Sequence, residues 1–73
     1  MNTLYHPQYQ AMIKRLVQAR KTAGLTQSEV AKRLNKTQSS ISKIEHCQKR
    51  VDILELKFFS KLYKIDPREI LGK

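Results

Sequence analysis

Apolar residues recur at helical spacing early in the chain: Tyr9, Met12, Ile13, Leu16, Val17 and Ala23 fall on one side of a helix, and Gly24 behind them can take the left-handed turn that stops it. The spacing predicts a first helix from Gln8 to Ala23. In the segment Leu25-Thr26-Gln27-Ser28-Glu29-Val30 that follows, Thr26 can cap a helix, Glu29 can return the capping hydrogen bond, and Leu25 can staple onto Val30. The same grammar returns in Val51-Asp52-Ile53-Leu54-Glu55-Leu56 and in Ile65-Asp66-Pro67-Arg68-Glu69-Ile70. Each has an apolar residue before a capping Asp, an acid at the third helical position and an apolar residue at the fourth, the last with Pro in first place. These mark the starts of the second, fourth and fifth helices.

The third helix, opening Thr37-Gln38-Ser39-Ser40-Ile41-Ser42-Lys43-Ile44-Glu45, breaks the pattern. Thr37 can cap it, but its first turn holds no carboxylate, although an acid there would favour the helix by a few tenths of a kcal/mol, roughly, through the macrodipole. The gap suggests that another anion approaches, and Lys36, standing where a staple residue would be, fits that suggestion. Only Asn35, Lys36 and Thr37 separate a second helix over Gln27 to Leu34 from a third over Gln38 to His46, a turn suited to two helices crossing steeply. Asn35 tolerates the left-handed conformation such a turn needs, and Ala31 is small enough to sit inside the crossing among Val30, Leu34, Ile41 and Ile44.

The fourth helix is apolar on two faces. At about 100° per residue, Leu56, Phe59, Ser60 and Tyr63 form a core side, while Leu54, Phe58 and Leu62 form a second stripe at i, i+4, i+8 spacing. A domain of this size covers one face of such a helix, so the stripe implies a symmetric homodimer, or else a cover folded over it from residues 1–9 through Leu4 and Tyr5.

Length and composition narrow the chemistry. Seventy-three residues allow one small all-α domain, residues 9–73 after an N-terminal segment of residues 1–8. A chain so short often needs a disulfide, a metal or a partner. Cys47 is the only cysteine, and His6 and His46 are the only histidines, so an internal disulfide is excluded and a metal or nucleophile site is poorly supplied; no cofactor or small-molecule ligand is expected. Apolar runs of no more than three residues, such as Ile53-Leu54 and Phe58-Phe59, rule out a membrane span and a secretory h-region, and a cytoplasmic protein is expected. Fifteen Lys and Arg against six Asp and Glu give a net charge of +9. Residues 1–13 carry no charged side chain, residues 14–50 hold ten basic and two acidic residues, and residues 51–73 hold five and four. The middle of the chain therefore faces the polyanion. A basic solvated surface would show the same total, and charge alone does not separate nucleic acid from an anionic membrane. A membrane-binding helix, however, would leave bulky apolar residues free opposite its basic face, and here the core needs them.

Two segments, Gly24-Leu25-Thr26-Gln27-Ser28-Glu29-Val30-Ala31-Lys32-Arg33-Leu34 and Thr37 to Glu45, resemble the two halves of the helix-turn-helix domain of phage repressors and Cro, found also in bacterial regulators and restriction-modification controllers. The similarity continues through Phe59-Ser60-Lys61-Leu62-Tyr63-Lys64-Ile65-Asp66 to Ile70-Leu71 and covers residues 12–71. Asn35 and Lys64 stand where that family often has Gly, and His46-Cys47 replace a common Asn-Gly pair. The resemblance implies a compact five-helix, repressor-like fold with a central helix-turn-helix, a recognition helix Thr37 to Glu45 in the major groove of double-stranded DNA, and a second helix crossing the backbone, the docking described for phage repressors in general. It places Gln38, Ser39, Ser42 and Lys43 as base readers; a Gln suits adenine N6 and N7, a Lys guanine O6 and N7. Arg20, Thr26, Gln27, Thr37, His46, Lys49 and Arg50 fall at its phosphate-contacting places, with the start of the second helix adding backbone N–H groups. Arg20 and Glu45 resemble its ion pair between the first and third helices. The expected function is a sequence-specific transcriptional regulator without enzymatic activity, dimeric on a palindromic operator. The competing possibility is an antitoxin-like module whose main task is to bind a partner protein through the fourth helix.

Overall fold

In a computed structural model the chain folds as an all-α domain, and residues 3–72 are described. A single 3-10 turn, Thr3–Tyr5, leads into α1 (Pro7–Thr22), α2 (Gln27–Arg33), α3 (Gln38–Glu45), α4 (Ile53–Tyr63) and α5 (Pro67–Leu71). α1 is the hub, in contact with α3, α4 and α5, and α2 packs on α3. Ile13 and Leu16 of α1 meet Val30, Ala31, Ile41, Ile44, Leu56, Phe59, Tyr63 and Ile70 in one buried core, with Tyr9, Met12 and Val17 half-buried around it. Ala31 lies within the core beside the α2–α3 crossing, as its size requires.

Helix starts follow the capping grammar. Thr26, Asp52 and Asp66 each close a reciprocal box with Glu29, Glu55 and Glu69, and Thr37 caps α3 by accepting a hydrogen bond from the Ser40 amide at 3.0 Å. α1 begins one residue before its expected start, at Pro7, because His6 caps it: the imidazole Nδ1 accepts from the Gln8 amide at 3.1 Å. Of the staple positions, Val51 is buried and Leu25 and Ile65 pack partly against the core. Lys36 differs from the expectation that it awaits an external anion. Its Nζ donates to Glu55 Oε2 at 2.8 Å, so the anion it meets belongs to α4 and the bond ties the turn between α2 and α3 to that helix.

Four helices end in the same way. The last carbonyls of α1 to α4 accept paired amides from the following turn, Leu25 to Arg20, Lys36 to Ala31, Gln48 to Lys43 and Ile65 to Ser60 being the outer bonds. The geometry demands a left-handed residue each time, and these are Gly24, Asn35, Cys47 and Lys64, at φ of 75°, 56°, 57° and 58°. The three positions at which the sequence departs from the common glycine pattern are thus the three non-glycine left-handed residues among those described.

A side chain with a Cβ in this region costs about 1–2 kcal/mol, less for Asn, whose short polar group tolerates it. Lys64 is exposed and makes no side-chain hydrogen bond, so Lys64→Gly should stabilise the protein by about 0.5–1 kcal/mol after the extra freedom of glycine in the unfolded chain is deducted. Asn35→Gly should gain less. Urea unfolding of the two variants beside the parent measures the difference.

Candidate nucleic-acid interface

The polar face of α3 is set by its apolar one. Ile41 and Ile44 are fully buried, and at about 100° per residue this turns Gln38, Ser39, Ser42 and Lys43 to the opposite side within one arc of about 140°. Gln38, Ser39 and Lys43 are exposed, and Ser42 is half-buried. All four expected base readers therefore share the outward face. Among the four helices capped by Thr or Asp, α3 alone has no carboxylate in its first turn.

The carboxylate that does belong to α3 closes its last turn and points inward. Glu45 Oε2 accepts from Arg20 Nε at 2.7 Å, and Oε1 accepts from Arg20 Nη2 at 3.1 Å and from Gln27 Nε2 at 2.9 Å. Arg20 Nη1 donates to the Leu25 carbonyl at 2.8 Å, which fixes the guanidinium at the end of α1. The side chains of Arg20 and Glu45 are only 11% and 5% exposed, so water screens the pair weakly. One anion thus clasps α1, α2 and α3. The expected pairing of Arg20 with Glu45 is present; the participation of Gln27 is additional, and it spends on Glu45 a side chain placed by resemblance at a phosphate.

The remaining phosphate candidates lie at the ends of α2 and α3. Thr26 and Thr37 are exposed caps. The start of α2 is not an open anion site, because Glu29 already accepts from the Thr26 amide at 2.8 Å, and hydrogen bonding to Thr26 holds its carboxyl below the usual carboxylate range. His46 lies at the end of α3 with Nδ1 2.7 Å from the Ser42 carbonyl, so that nitrogen carries the proton and donates. Lys49 Nζ donates to Ser40 Oγ at 3.2 Å, beside α3, and Arg50 is exposed next to it. Lys14 of α1, which the sequence did not single out, lines a cleft of about 310 Å³ together with Gln18, His46 and Cys47. Its position on the surface of a helix distant in sequence gave no local signal.

A family model described as helix-turn-helix matches residues 16–70, most of the chain. The chain belongs to the helix-turn-helix family. Its relatives by that model are the Cro and repressor type, DNA-binding transcriptional regulators, and the five-helix architecture agrees with them. No curated protein and no solved structure matches the chain significantly. In this helix-turn-helix protein no described helix is long and apolar enough to cross a membrane, and no group of three His, Cys, Asp or Glu among the described residues could hold a metal ion.

The clasp makes a signed prediction. Glu45→Ala leaves the Arg20 guanidinium buried without its anion and should cost about 3 kcal/mol of stability, together with weaker binding to duplex DNA. If Glu45 acted only by repelling phosphate, the same substitution would tighten binding and leave the melting temperature alone; thermal melts and gel-shift titrations of one preparation separate the two.

Proposed function

We propose that this helix-turn-helix regulator binds a palindromic operator as a homodimer and reads each half-site with Gln38, Ser39, Ser42 and Lys43. The observation that carries the reading is the outward face of α3: polar, cationic at Lys43, free of carboxylate in its first turn, and backed by a buried clasp that fixes the helix end. Thr26, Thr37, His46, Lys49 and Arg50 flank that face and hold the DNA backbone, with Lys14 beside His46 extending the cationic track. Arg20 and Gln27, held on Glu45, each keep N–H groups not engaged there, and these are the donors they offer a phosphate.

Dimer formation draws on α4. Ile53, Leu54 and Phe58 are 79%, 55% and 45% exposed, while Leu62, expected in the same stripe, is half-buried against the core and forms its edge. The 3-10 turn of the N-terminal segment packs on α1, not on α4, so residues 3–5 leave the apolar patch uncovered. Burying Leu54 and Phe58 against a second copy is worth roughly 1.5–3 kcal/mol per side chain before association costs, enough for a dimer of modest affinity that DNA reinforces.

Two sets of variants test this function. Gln38→Ala and Lys43→Ala should each weaken operator binding by about 1–3 kcal/mol and relax preference at one base pair per half-site, whereas Arg50→Ala should weaken all sequences alike and reduce the salt slope by about one. Competition with single-base operator variants reads the difference, and unchanged base preferences in both α3 variants would remove that helix from recognition. Phe58→Glu should stay folded, sediment as a monomer and lose cooperative binding. A parent protein that remains monomeric at high concentration and binds one half-site as well as a palindrome would exclude the dimer, and a stable complex with an unrelated protein through α4 in place of DNA would favour the antitoxin-like alternative.

A further inference from the structure

A serine inside a helix often spends its proton on the carbonyl one turn back. Ser60 of α4 does so, donating its hydroxyl to the Leu56 carbonyl at 2.8 Å. Ser42, half-buried on the outward arc of α3, does not. Among the described residues its side chain meets His46 alone, Oγ lying 3.3 Å from Nδ1. The direction of that contact is fixed by a third atom. Nδ1 also lies 2.7 Å from the Ser42 carbonyl oxygen, which only accepts, so Nδ1 carries a proton and has no lone pair to offer the serine. The serine oxygen is therefore the acceptor, and its own hydrogen stays uncommitted. This holds for the neutral and the doubly protonated imidazole alike, because Nδ1 bears a proton in both. An exposed histidine just past the end of α3 thus sets the hydrogen-bond polarity of a residue on the outward face.

We propose that His46 is a positioning residue for base reading: it occupies the Ser42 oxygen and leaves the hydroxyl as a donor, directed at the N7 acceptor of a purine. This rests on the DNA-binding function proposed above, and it gives Ser42 a selectivity that serine by itself lacks. A serine hydroxyl can donate or accept and so suits any base. N7 stands at the major-groove edge of adenine and of guanine, and neither pyrimidine has it. A donor feeding the oxygen also strengthens the O–H as a donor in its turn. A His46 that touched only the DNA backbone would add affinity to every sequence equally. One that sets the Ser42 proton adds it at a single base pair.

The experiment uses the duplex enriched by the parent protein from a random pool. Ser42→Ala identifies the base pair at which preference relaxes, and the purine of that pair is replaced by its deaza analogue, in which carbon takes the place of N7. The parent should lose about three- to tenfold in affinity on the replacement, the worth of one hydrogen bond. Ser42→Ala and His46→Ala should lose little. His46→Asn, whose side-chain amide can stand in for the Nδ1–H group, should regain the dependence on N7. Indifference of the parent to the deazapurine would overturn the proposal, as would a His46→Ala protein that weakens on every duplex alike and keeps its full sensitivity to N7. Unaltered base preferences in Ser42→Ala would overturn it too, while leaving recognition by Gln38 and Lys43 standing. Without DNA, the nitrogen chemical shifts of the neutral imidazole should place its proton on Nδ1, and a proton on Nε2 would overturn the role whatever the duplexes show. A parent protein that enriches no sequence would refute the function itself, and the reading by Ser42 with it.

Discussion

The structure depends on one buried carboxylate. Glu45 receives three hydrogen bonds, two from Arg20 of α1 and one from Gln27 of α2, and it is itself the last residue of α3. Apolar packing of Val30, Ala31, Ile41 and Ile44 brings α2 and α3 together, but such contacts tolerate small slides and rotations. Directional hydrogen bonds to a planar acid do not. A buried ion pair adds little net stability compared with a well-packed apolar substitute, yet breaking one side of it is costly. Its value here is orientation: it fixes the outward face of α3 relative to α1 and α2.

The basic surface follows from how the remaining acids are used. The chain has six carboxylate side chains. Asp52 and Asp66 cap α4 and α5; Glu29, Glu55 and Glu69 return the hydrogen bonds of three capping boxes; Glu45 holds the clasp. Every acid is thereby tied to a helix start or to the clasp, and none stands on the outward side of α3. The same residues that let a 73-residue chain hold its helices also leave the outward side of α3 without a carboxylate to offset Lys43. Glu55 does this twice over, since it completes a capping box and pairs with Lys36; burial pushes its carboxyl up, but the bonds from Lys36 and the Asp52 amide outweigh that and keep it ionised. Folding and binding are served by one arrangement of charge.

Much of this was legible because capping is local. A cap, an acid three residues on and an apolar residue after it identify a helix start from six consecutive residues, and α2, α4 and α5 begin where that grammar puts them. Helix ends were legible within a residue at Gly24 and Asn35, whose residue types suit left-handed backbone. Cys47 and Lys64 carry no such mark, and only resemblance to a glycine-bearing pattern drew attention to them. Interactions between distant residues were harder to read. The partner of Lys36 lies nineteen residues away, so its charge looked available when it is not. Nothing near Gln27 in sequence shows that Glu45 lies within 2.9 Å of it. His6 carries no sequence signal as a cap because histidine is an unusual one. The candidate base readers were legible because α3 is short and its two isoleucines leave a single outward face.

Whether the outward face of α3 reads sequence in duplex DNA is decided by selecting bound duplexes from a random pool with the parent protein. One sequence should be enriched, arranged as two inverted half-sites with centres separated by about one turn of the double helix, roughly 10 base pairs, or a multiple of it. Retention of DNA without enrichment of any sequence, at low and at physiological salt alike, would contradict it.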